Sequence, residues 1–398
     1  MPDDTAIRDS KTAQPASPTP RIRFDRNELA GAFGDLGTDF PLIVGMILAS
    51  GLDAGTTLIL FGAMQLTTGL AYGLPMPVQP LKAMAVIVIT QQLAPEILYG
   101  GGFAIGIVML LLTLSGALGW LGRAIPLSVI RGIQFGLGLQ LALLALRDFL
   151  PSGGMPGYAL GALGFAITLA LLGNRRFPPA LLLIVLGLTY TVVAAPDSPA
   201  RLLGSFGLSL PALRAPSVSE VWTGFLLLAI PQIPLSLGNS IFATEQIVKD
   251  LFPHRPISIR KLGLTYSLMN LVNPFLGGIP TCHGSGGMAG HYAFGGRTGG
   301  SVVIEGSIYA LAGLFFAAGF EEISLLFPRP ILAVILFFEA LVLLRLIRDR
   351  LHSPSELAIS LIVGLFAVGL PYGYLVGLII GIALDRLAQR RRTGLFSE

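Results

Sequence analysis

The sequence predicts an all-α polytopic membrane protein with about 14 transmembrane segments, arranged as two inverted repeats of seven spans each. Three observations predict this fold class. First, 53% of the 398 residues are apolar and only 12% are charged, whereas soluble proteins carry about 25% charged residues. Second, apolar runs of about 17–25 residues, each long enough to cross a bilayer, recur along almost the whole chain. Third, Pro- and Gly-rich breaks interrupt the apolar sequence at a similar place in each half.

The two breaks lie in predicted broken spans at about 74–92 and 279–295. They read Gly73-Leu74-Pro75-Met76-Pro77-Val78-Gln79-Pro80 and Gly278-Ile279-Pro280-Thr281-Cys282-His283-Gly284-Ser285-Gly286-Gly287. An unpaired backbone group in lipid costs several kcal/mol, so such breaks persist only where they line a cavity or are buried in protein. A matched pair of interrupted spans indicates the substrate site of a transporter built from repeats. The alternative is that both breaks are kinks that serve packing.

The two halves of the chain resemble each other at a constant offset. Gly73-Leu74-Pro75 aligns with Gly278-Ile279-Pro280, and Met64-Gln65-Leu66 aligns with Met269-Asn270-Leu271. An odd number of spans per half forces the halves into opposite orientations. Lys and Arg residues concentrate in alternate loops, which predicts that both termini are cytoplasmic.

The predicted domain organisation follows from these repeats. It consists of a disordered cytoplasmic tail at 1–27, a first seven-span repeat at 28–195, a linker at 196–218, a second repeat at 219–388 and a cytoplasmic tail at 389–398. In the first broken span, three prolines disfavour helix before about residue 78, so we expect a short helix to begin near Val78. We expect a similar half-helix after the second break. Two half-helix N-termini that point at one spot form an anion site.

The polar side chains at the breaks suit an oxyanion, because they are hydrogen-bond donors and none is acidic. Lys82 is expected one turn into the first half-helix, where it supplies a positive charge. In the eighth predicted span, polar residues follow helical spacing, and they either line the cavity or join helices. The candidate substrate-binding residues are Pro77, Gln79, Lys82, Gln232, Asn239, Thr281, His283, Gly284, Ser285 and Gly286.

Acidic residues in the first span are candidates for coupling to protons. Asp35, Thr38 and Asp39 share one helix face, because they are spaced at i, i+3 and i+4. Carboxylates beside an anion site repel the substrate unless they are protonated or paired with Lys82 or Arg297. Asp35 is therefore the leading candidate for a proton carrier, and a structural ion pair is the alternative. The candidate coupling and gating residues are Asp35, Thr38, Asp39, Glu245 and Arg297.

The sequence contains no ATP-binding G-x-x-x-x-G-K-[ST] motif, no cluster with metal-ligand spacing and no catalytic triad spacing. We therefore expect no enzyme activity, no cofactor, no metal site and no nucleic-acid partner.

At the breaks and in the first and eighth spans, the chain resembles the molybdate transporter family, which is related to the SulP sulfate permeases. The matching motifs are Phe33-Gly34-Asp35-Leu36-Gly37-Thr38, Met76-Pro77-Val78-Gln79-Pro80-Leu81-Lys82, Pro231-Gln232-Ile233-Pro234-Leu235, Asn239-Ser240, Pro280-Thr281-Cys282-His283-Gly284-Ser285-Gly286-Gly287 and Phe294-Gly295-Gly296-Arg297-Thr298-Gly299. The resemblance implies a seven-plus-seven inverted fold, shared with uracil permeases. It also implies a core domain at 28–121 plus 219–320, a gate domain at 122–195 plus 321–388, and a homodimer.

The functional expectation is a secondary active transporter in a bacterial cytoplasmic (inner) membrane. It would take up molybdate by alternating access, with a proton as the coupling ion. Tungstate and sulfate are the other candidate substrates, and the lipid bilayer is the remaining partner. The alternatives are a sulfate permease of the same fold, an anion channel or an oxyanion sensor. A nucleobase carrier would need acidic side chains at the breaks, and neither break has one.

Overall fold

The computed structural model describes residues 22–172, 174, 177–211, 214–370 and 373–391, and these residues are mostly helical. The helices of the first half are α1 (Arg26–Ala32), α2 (Leu36–Ser50), α3 (Ala54–Tyr72), α4 (Lys82–Gln91), α5 (Pro95–Leu114), α6 (Ala117–Ala124), α7 (Leu127–Leu144), α8 (Gly154–Leu171), α9 (Pro179–Ala194) and α10 (Ser198–Gly204). A π-helical segment at Ala145–Phe149 and a 3-10 segment at Leu150–Gly153 connect α7 to α8.

The helices of the second half are α11 (Val218–Gly224), α12 (Ile230–Leu235), α13 (Thr244–Leu251), α14 (Ile259–Val272), α15 (Ser285–Ala293), α16 (Gly300–Phe316), α17 (Phe320–Leu325), α18 (Arg329–Arg345), α19 (Pro354–Gly369) and α20 (Gly373–Arg391). The π-helical segments Phe225–Ala229 and Ser236–Ala243 connect α11, α12 and α13, and 3-10 segments lie at Asn273–Leu276, Ala317–Gly319 and Leu346–Arg350. The two strands are β1 (Gln79–Pro80) and β2 (Thr281–Cys282).

The number of membrane spans is confirmed only in part. In the part of the chain that the structure describes, 5 helices are long and apolar enough to cross a membrane, or up to 8 if each sharply bent pair is one span. The predicted 14 spans are not confirmed by this count. Helices α4 and α15 have only 10 and 9 residues, about half of what a bilayer requires, so neither half-helix qualifies by length.

Helices of the first half pack against helices of the second half. Helix α3 packs on α16, and α14, which lies at the matching place in the second half, packs on α5. The α3–α16 contact depends on glycine, because a Cβ atom on Gly62 would lie only 2.5 Å from the backbone oxygen of Gly306. In the remaining part of the fold, α7 packs on α19 and α18 packs on α8. Helices of each half of the chain therefore pack against helices of the other half.

Helix α18 packs against helices of both halves. It packs on α7 and α8, and it also contacts α15 and α2 beside the breaks. In an ion-pair cluster, the buried Arg131 of α7 binds Asp250 of α13 and Asp349 of the 3-10 segment Leu346–Arg350. The shortest N–O distance is 2.6 Å in both pairs. These contacts tie α7 of the first half to two segments of the second half.

The first and last described helices extend beyond the predicted limits of the two repeats, 28 and 388. Helix α1 begins at Arg26, where the Asp25 side chain accepts hydrogen bonds from the backbone of Asn27 and Glu28, so the last two residues of the predicted tail at 1–27 are helical. Helix α20 ends at Arg391. Residues 1–21 and 392–398 lie outside the described residues, as do 212 and 213 of the predicted linker. The described part of that linker contains helix α10.

Candidate anion site at the two broken spans

The two breaks meet as a short antiparallel pair of strands. Gln79 of β1 lies opposite Cys282 of β2, and Pro80 lies opposite Thr281. The backbone of Leu81 also donates a hydrogen bond to the Pro280 oxygen, at 3.1 Å. Strand pairing satisfies backbone groups that would otherwise be unpaired inside the membrane. The sequence predicted that the breaks approach each other but did not predict that they hydrogen-bond.

Each break is also held by the side-chain amide of its preceding helix. The Gln65 amide of α3 accepts from the Val78 N–H at 2.9 Å and donates to the Val78 oxygen at 3.0 Å. The Asn270 amide of α14 accepts from the Thr281 N–H at 3.0 Å and donates to the Thr281 oxygen at 2.6 Å. These paired hydrogen bonds replace the ladder that a continuous helix would provide, and they occur at matching places in the two halves.

The first half-helix begins later than the sequence predicted. Helix α4 starts at Lys82 rather than near Val78, because Gln79 and Pro80 are extended and pair with β2. Lys82 is therefore the first residue of its helix and does not lie one turn into it. Helix α15 begins at Ser285, so Lys82 and Ser285 occupy the same position at the start of the two half-helices.

The N-termini of the two half-helices differ in what they bind. At α4, the side-chain oxygen of Gln232 accepts hydrogen bonds from the N–H groups of Ala83 and Met84, at 2.9 and 3.3 Å. Gln232 therefore caps α4. At α15, the first-turn N–H groups of Ser285–Gly287 have no hydrogen-bond partner among the described residues. The open N-terminus of α15 is the stronger anion-binding position.

Asp35 and Gln79 lie against this open N-terminus. The Gln79 Nε2 atom donates to both carboxylate oxygens of Asp35, at 2.7 and 2.9 Å. A methyl group on Gly287 would collide with the Asp35 carboxylate, and one on Gly284 would collide with the Gln79 amide. Glycine is therefore required at both positions for these side chains to reach the helix end.

A further carboxylate approaches α15 from α18. Glu339 is completely buried, and its Oε2 atom accepts a hydrogen bond from the Thr38 hydroxyl at 3.0 Å. A methyl group on Gly286 would lie 2.6 Å from the other carboxylate oxygen, Oε1. Glu339 thus lies beside the first turn of α15.

Two more charged groups are buried in the same region without satisfied partners. In the described part of the chain, no hydrogen bond reaches the buried Lys82 Nζ atom or either carboxylate oxygen of Asp39. Lys82 interacts electrostatically with Asp35, Asp39 and Glu339. Unsatisfied charges inside a membrane protein are costly and indicate a functional site.

The remaining polar candidates have defined positions around the site. The Ser285 hydroxyl donates to the Asn239 side-chain oxygen at 2.7 Å, which connects α15 to the π-helical segment before α13. The Thr281 hydroxyl is buried and has no partner among the described residues. The His283 ring nitrogens lie 3.0 Å from the Pro77 oxygen and 2.7 Å from the Thr265 hydroxyl. Both nitrogens are therefore occupied in joining the first break to α14.

Two predicted coupling residues, Glu245 and Arg297, lie away from the half-helix N-termini. Glu245 of α13 forms an ion pair with Lys249, one helical turn later, at 2.5 Å. Arg297 follows α15, where its guanidinium stacks on the Tyr292 ring and donates to backbone oxygens of Tyr292 and Gly296. The structure therefore places neither residue in contact with the half-helix N-termini.

Sequence reasoning missed several polar residues of the site. Glu339 belongs to it, and Glu305 of α16 lies close by, 3.1 Å from Gln65 Nε2 and 3.3 Å from His291 Nε2. The signal that could have found both acids is a single carboxylate inside an apolar span, which is rare and usually functional.

Comparison with known proteins identifies the family. The profile of the family described as "Molybdate transporter of MFS superfamily" matches residues 27–141 and 224–343. Molybdate transporter 2 of Arabidopsis thaliana is 34% identical over 382 residues, which cover 84% of this chain and 82% of that protein. This chain belongs to the molybdate transporter family. The family consists of membrane transporters and not of enzymes, as the sequence predicted.

Solved structures confirm the expected SulP-like fold. The structure of SLC26A9 matches with a TM-score of 0.56 at 14% identity, covering 93% of this chain and 66% of that one. The transmembrane domain of the cyanobacterial bicarbonate transporter BicA matches with a TM-score of 0.51 at 16% identity, covering 92% of this chain and 99% of that one. At these identities the match concerns the fold alone. Together with the apolar helices, it makes this chain an integral membrane protein.

Proposed function

We propose that this protein is a secondary active transporter that takes up molybdate across a bacterial cytoplasmic membrane by alternating access. The observation that carries the proposal is the open N-terminus of α15, which faces the break at Gln79 and lies in a site that also contains the unpartnered Lys82 ammonium. Backbone N–H groups at a half-helix N-terminus bind a tetrahedral oxyanion. The similar transporter of Arabidopsis thaliana is named for molybdate, which favours this oxyanion over sulfate.

The proposed site holds the anion between the two half-helices. The N–H groups of Ser285–Gly287 and the Thr281 hydroxyl donate hydrogen bonds, and Lys82 supplies the positive charge. The side chains of Gln79 and Ser285 also donate once they release Asp35 and Asn239, to which they are bonded without substrate. A dianion that enters beside Asp35 meets like charge, which favours binding together with a proton. Asp35 is the candidate carrier in the first span, because its carboxylate lies directly on the α15 turn.

Alternating access is proposed as a movement between the core domain (28–121 plus 219–320) and the gate domain (122–195 plus 321–388). The two half-helices belong to the core domain, and α18 of the gate packs against α15 and α2 of the core. A movement at this contact exposes the site to one side of the membrane at a time. The full proposal includes about 14 spans, cytoplasmic termini and a homodimer.

Uptake of labelled molybdate into proteoliposomes tests the proposal. We expect saturable uptake that an inward proton gradient accelerates and that excess sulfate does not abolish. Complete competition by equimolar sulfate would make the protein a sulfate permease. Current above carrier rates would indicate a channel, and binding without flux would indicate a sensor.

The site assignment is tested by molybdate binding to the purified variants Lys82→Ala and Gln79→Ala. Both variants should bind molybdate at least about tenfold more weakly than the unmodified protein, because each loses a charged or hydrogen-bonding contact worth about 1.5–3 kcal/mol. The matched control is Lys249→Ala, since Lys249 pairs with Glu245 at a half-exposed position outside the site. Unchanged affinity in both site variants would exclude this site.

A further inference from the structure

The carboxylate of Glu339 lies beside the first turn of α15. Its Oε1 atom is 2.6 Å from where a methyl group on Gly286 would be, and no described residue, the α15 N–H groups included, donates a hydrogen bond to it. Its Oε2 atom is held by the Thr38 hydroxyl at 3.0 Å. The end of a helix with free N–H groups attracts negative charge. The charge of an ionised Glu339 is therefore close to the place where the substrate anion would bind.

The charges around Glu339 do not balance when every carboxylate is ionised. The groups that face it are Asp35 and Asp39 from the first span, Lys82 from α4 and Glu305 from α16. The His291 Nε2 atom lies 3.3 Å from Glu305 Oε2. One lysine thus faces several carboxylates, and a molybdate dianion would add two further negative charges in a region without bulk water. Binding of protons by the cluster removes this repulsion.

Glu339 differs from Asp35 in two ways. Asp35 accepts two hydrogen bonds from Gln79. Glu339 has one oxygen without a donor. Asp35 lies in the proposed core domain together with α15, whereas Glu339 is carried on α18 of the proposed gate domain. A change of charge on Glu339 therefore alters the contact between the two domains, which a change on Asp35 does not do directly.

We propose that Glu339 binds a proton when molybdate binds, and that its carboxylate is ionised when the substrate is absent. This inference rests on the proposed function. In the step, one proton from the aqueous phase forms an O–H bond with the Glu339 carboxylate, and no other covalent bond changes. The neutral side chain then no longer repels the dianion beside the first turn of α15, and the proton enters with the substrate.

The proton count of molybdate binding tests this role. Molybdate is titrated into the purified full-length protein in weakly buffered solution, and the protons taken up are measured. The unmodified protein should take up about one proton more than Glu339→Gln for each molybdate bound. Its apparent Kd should rise about tenfold per pH unit above the midpoint, as linkage to one proton requires, and this dependence should flatten in the variant. In proteoliposomes, the variant should exchange molybdate but lose acceleration by a proton gradient.

The control variant is Glu356→Gln, which removes a partly exposed carboxylate that pairs with Arg350 outside the site and should leave the proton count unchanged. A proton count and pH profile in Glu339→Gln equal to those of the unmodified protein would overturn the inference. Failure of the unmodified protein to bind or transport molybdate would instead refute the proposed function. If Glu339→Gln does not fold, the pH profile of molybdate binding to Thr38→Val tests the inference instead. This variant removes the hydrogen bond to Glu339 and keeps the carboxylate. The midpoint of the pH profile should then shift, and an unchanged midpoint would overturn the inference.

Discussion

Replacing Asn270 by alanine tests the mechanism that holds the second break inside the membrane. Its side-chain amide makes two hydrogen bonds to the backbone of Thr281, at 2.6 and 3.0 Å. Both residues are completely buried. The substitution leaves the Thr281 N–H and C=O groups without these partners and creates no collision, because alanine is smaller.

The expected loss of stability follows from these two bonds. A buried polar group left without a partner costs about 1–3 kcal/mol, so two groups give about 2–6 kcal/mol. Polar interactions measured inside membranes average about 0.6 kcal/mol, which sets a lower expectation of about 1 kcal/mol. Asn270→Ala should therefore lower the free energy of unfolding by about 1–6 kcal/mol.

Unfolding in mixed micelles with increasing SDS measures this loss. Gln65→Ala should show a similar loss, because Gln65 makes the equivalent two bonds to Val78. The matched control is Asn273→Ala, which removes only the bond from Asn273 Nδ2 to the Ile279 oxygen. A loss in Asn270→Ala no larger than that in Asn273→Ala would refute the role of the paired amide bonds. A folded variant is further expected to bind molybdate more weakly, because β2 leads directly into α15.

The other predictions concern the candidate anion site and the ion pairs of Arg131. Gly284→Ala should lower the affinity for molybdate and change the free energy of unfolding little, because the added methyl collides with the end of the Gln79 side chain and not with backbone. An affinity equal to that of the unmodified protein would contradict this packing. Arg131→Gln leaves Asp250 and Asp349 facing each other without their shared cation, and breaking a buried ion pair costs about 3–5 kcal/mol, less where the partners are partly exposed. The loosened contact should speed maleimide labelling of Cys282, the single cysteine, which is buried. An unchanged labelling rate would mean that these ion pairs do not hold α7 against α13 and the 3-10 segment Leu346–Arg350.

The sequence predicted the features that are unusual in a membrane helix. Prolines and glycines inside apolar runs located both breaks, and the isolated charge of Lys82 and the face shared by Asp35 and Asp39 pointed to the site. These signals are local, because a charge or an imino ring is unfavourable in an apolar helix wherever that helix packs. The structure brings Asp35, Gln79 and Lys82 into one region, as the sequence suggested.

The features that sequence reasoning missed depend on contacts between distant segments. A strand of two residues has no alternating pattern, so the pairing of β1 with β2, and hence the start of α4 at Lys82, could not be read locally. Gln232 looked like a cavity residue, and only the fold shows that it caps α4. Glu339 is distant in sequence from both breaks, and the packing of α18 on α15 brings it to the site.

Locating the bound anion tests the central claim most directly. Diffraction from crystals grown with molybdate, recorded on both sides of the molybdenum absorption edge, gives the position of the metal independently of any fitted side chain. We expect one anomalous peak between the two breaks, close to Lys82. The anion oxygens should lie within hydrogen-bonding distance of the N–H groups of Ser285–Gly287. A peak in another place, such as the cavity of about 560 Å³ lined by Asp53, Tyr99 and Arg214, would contradict it.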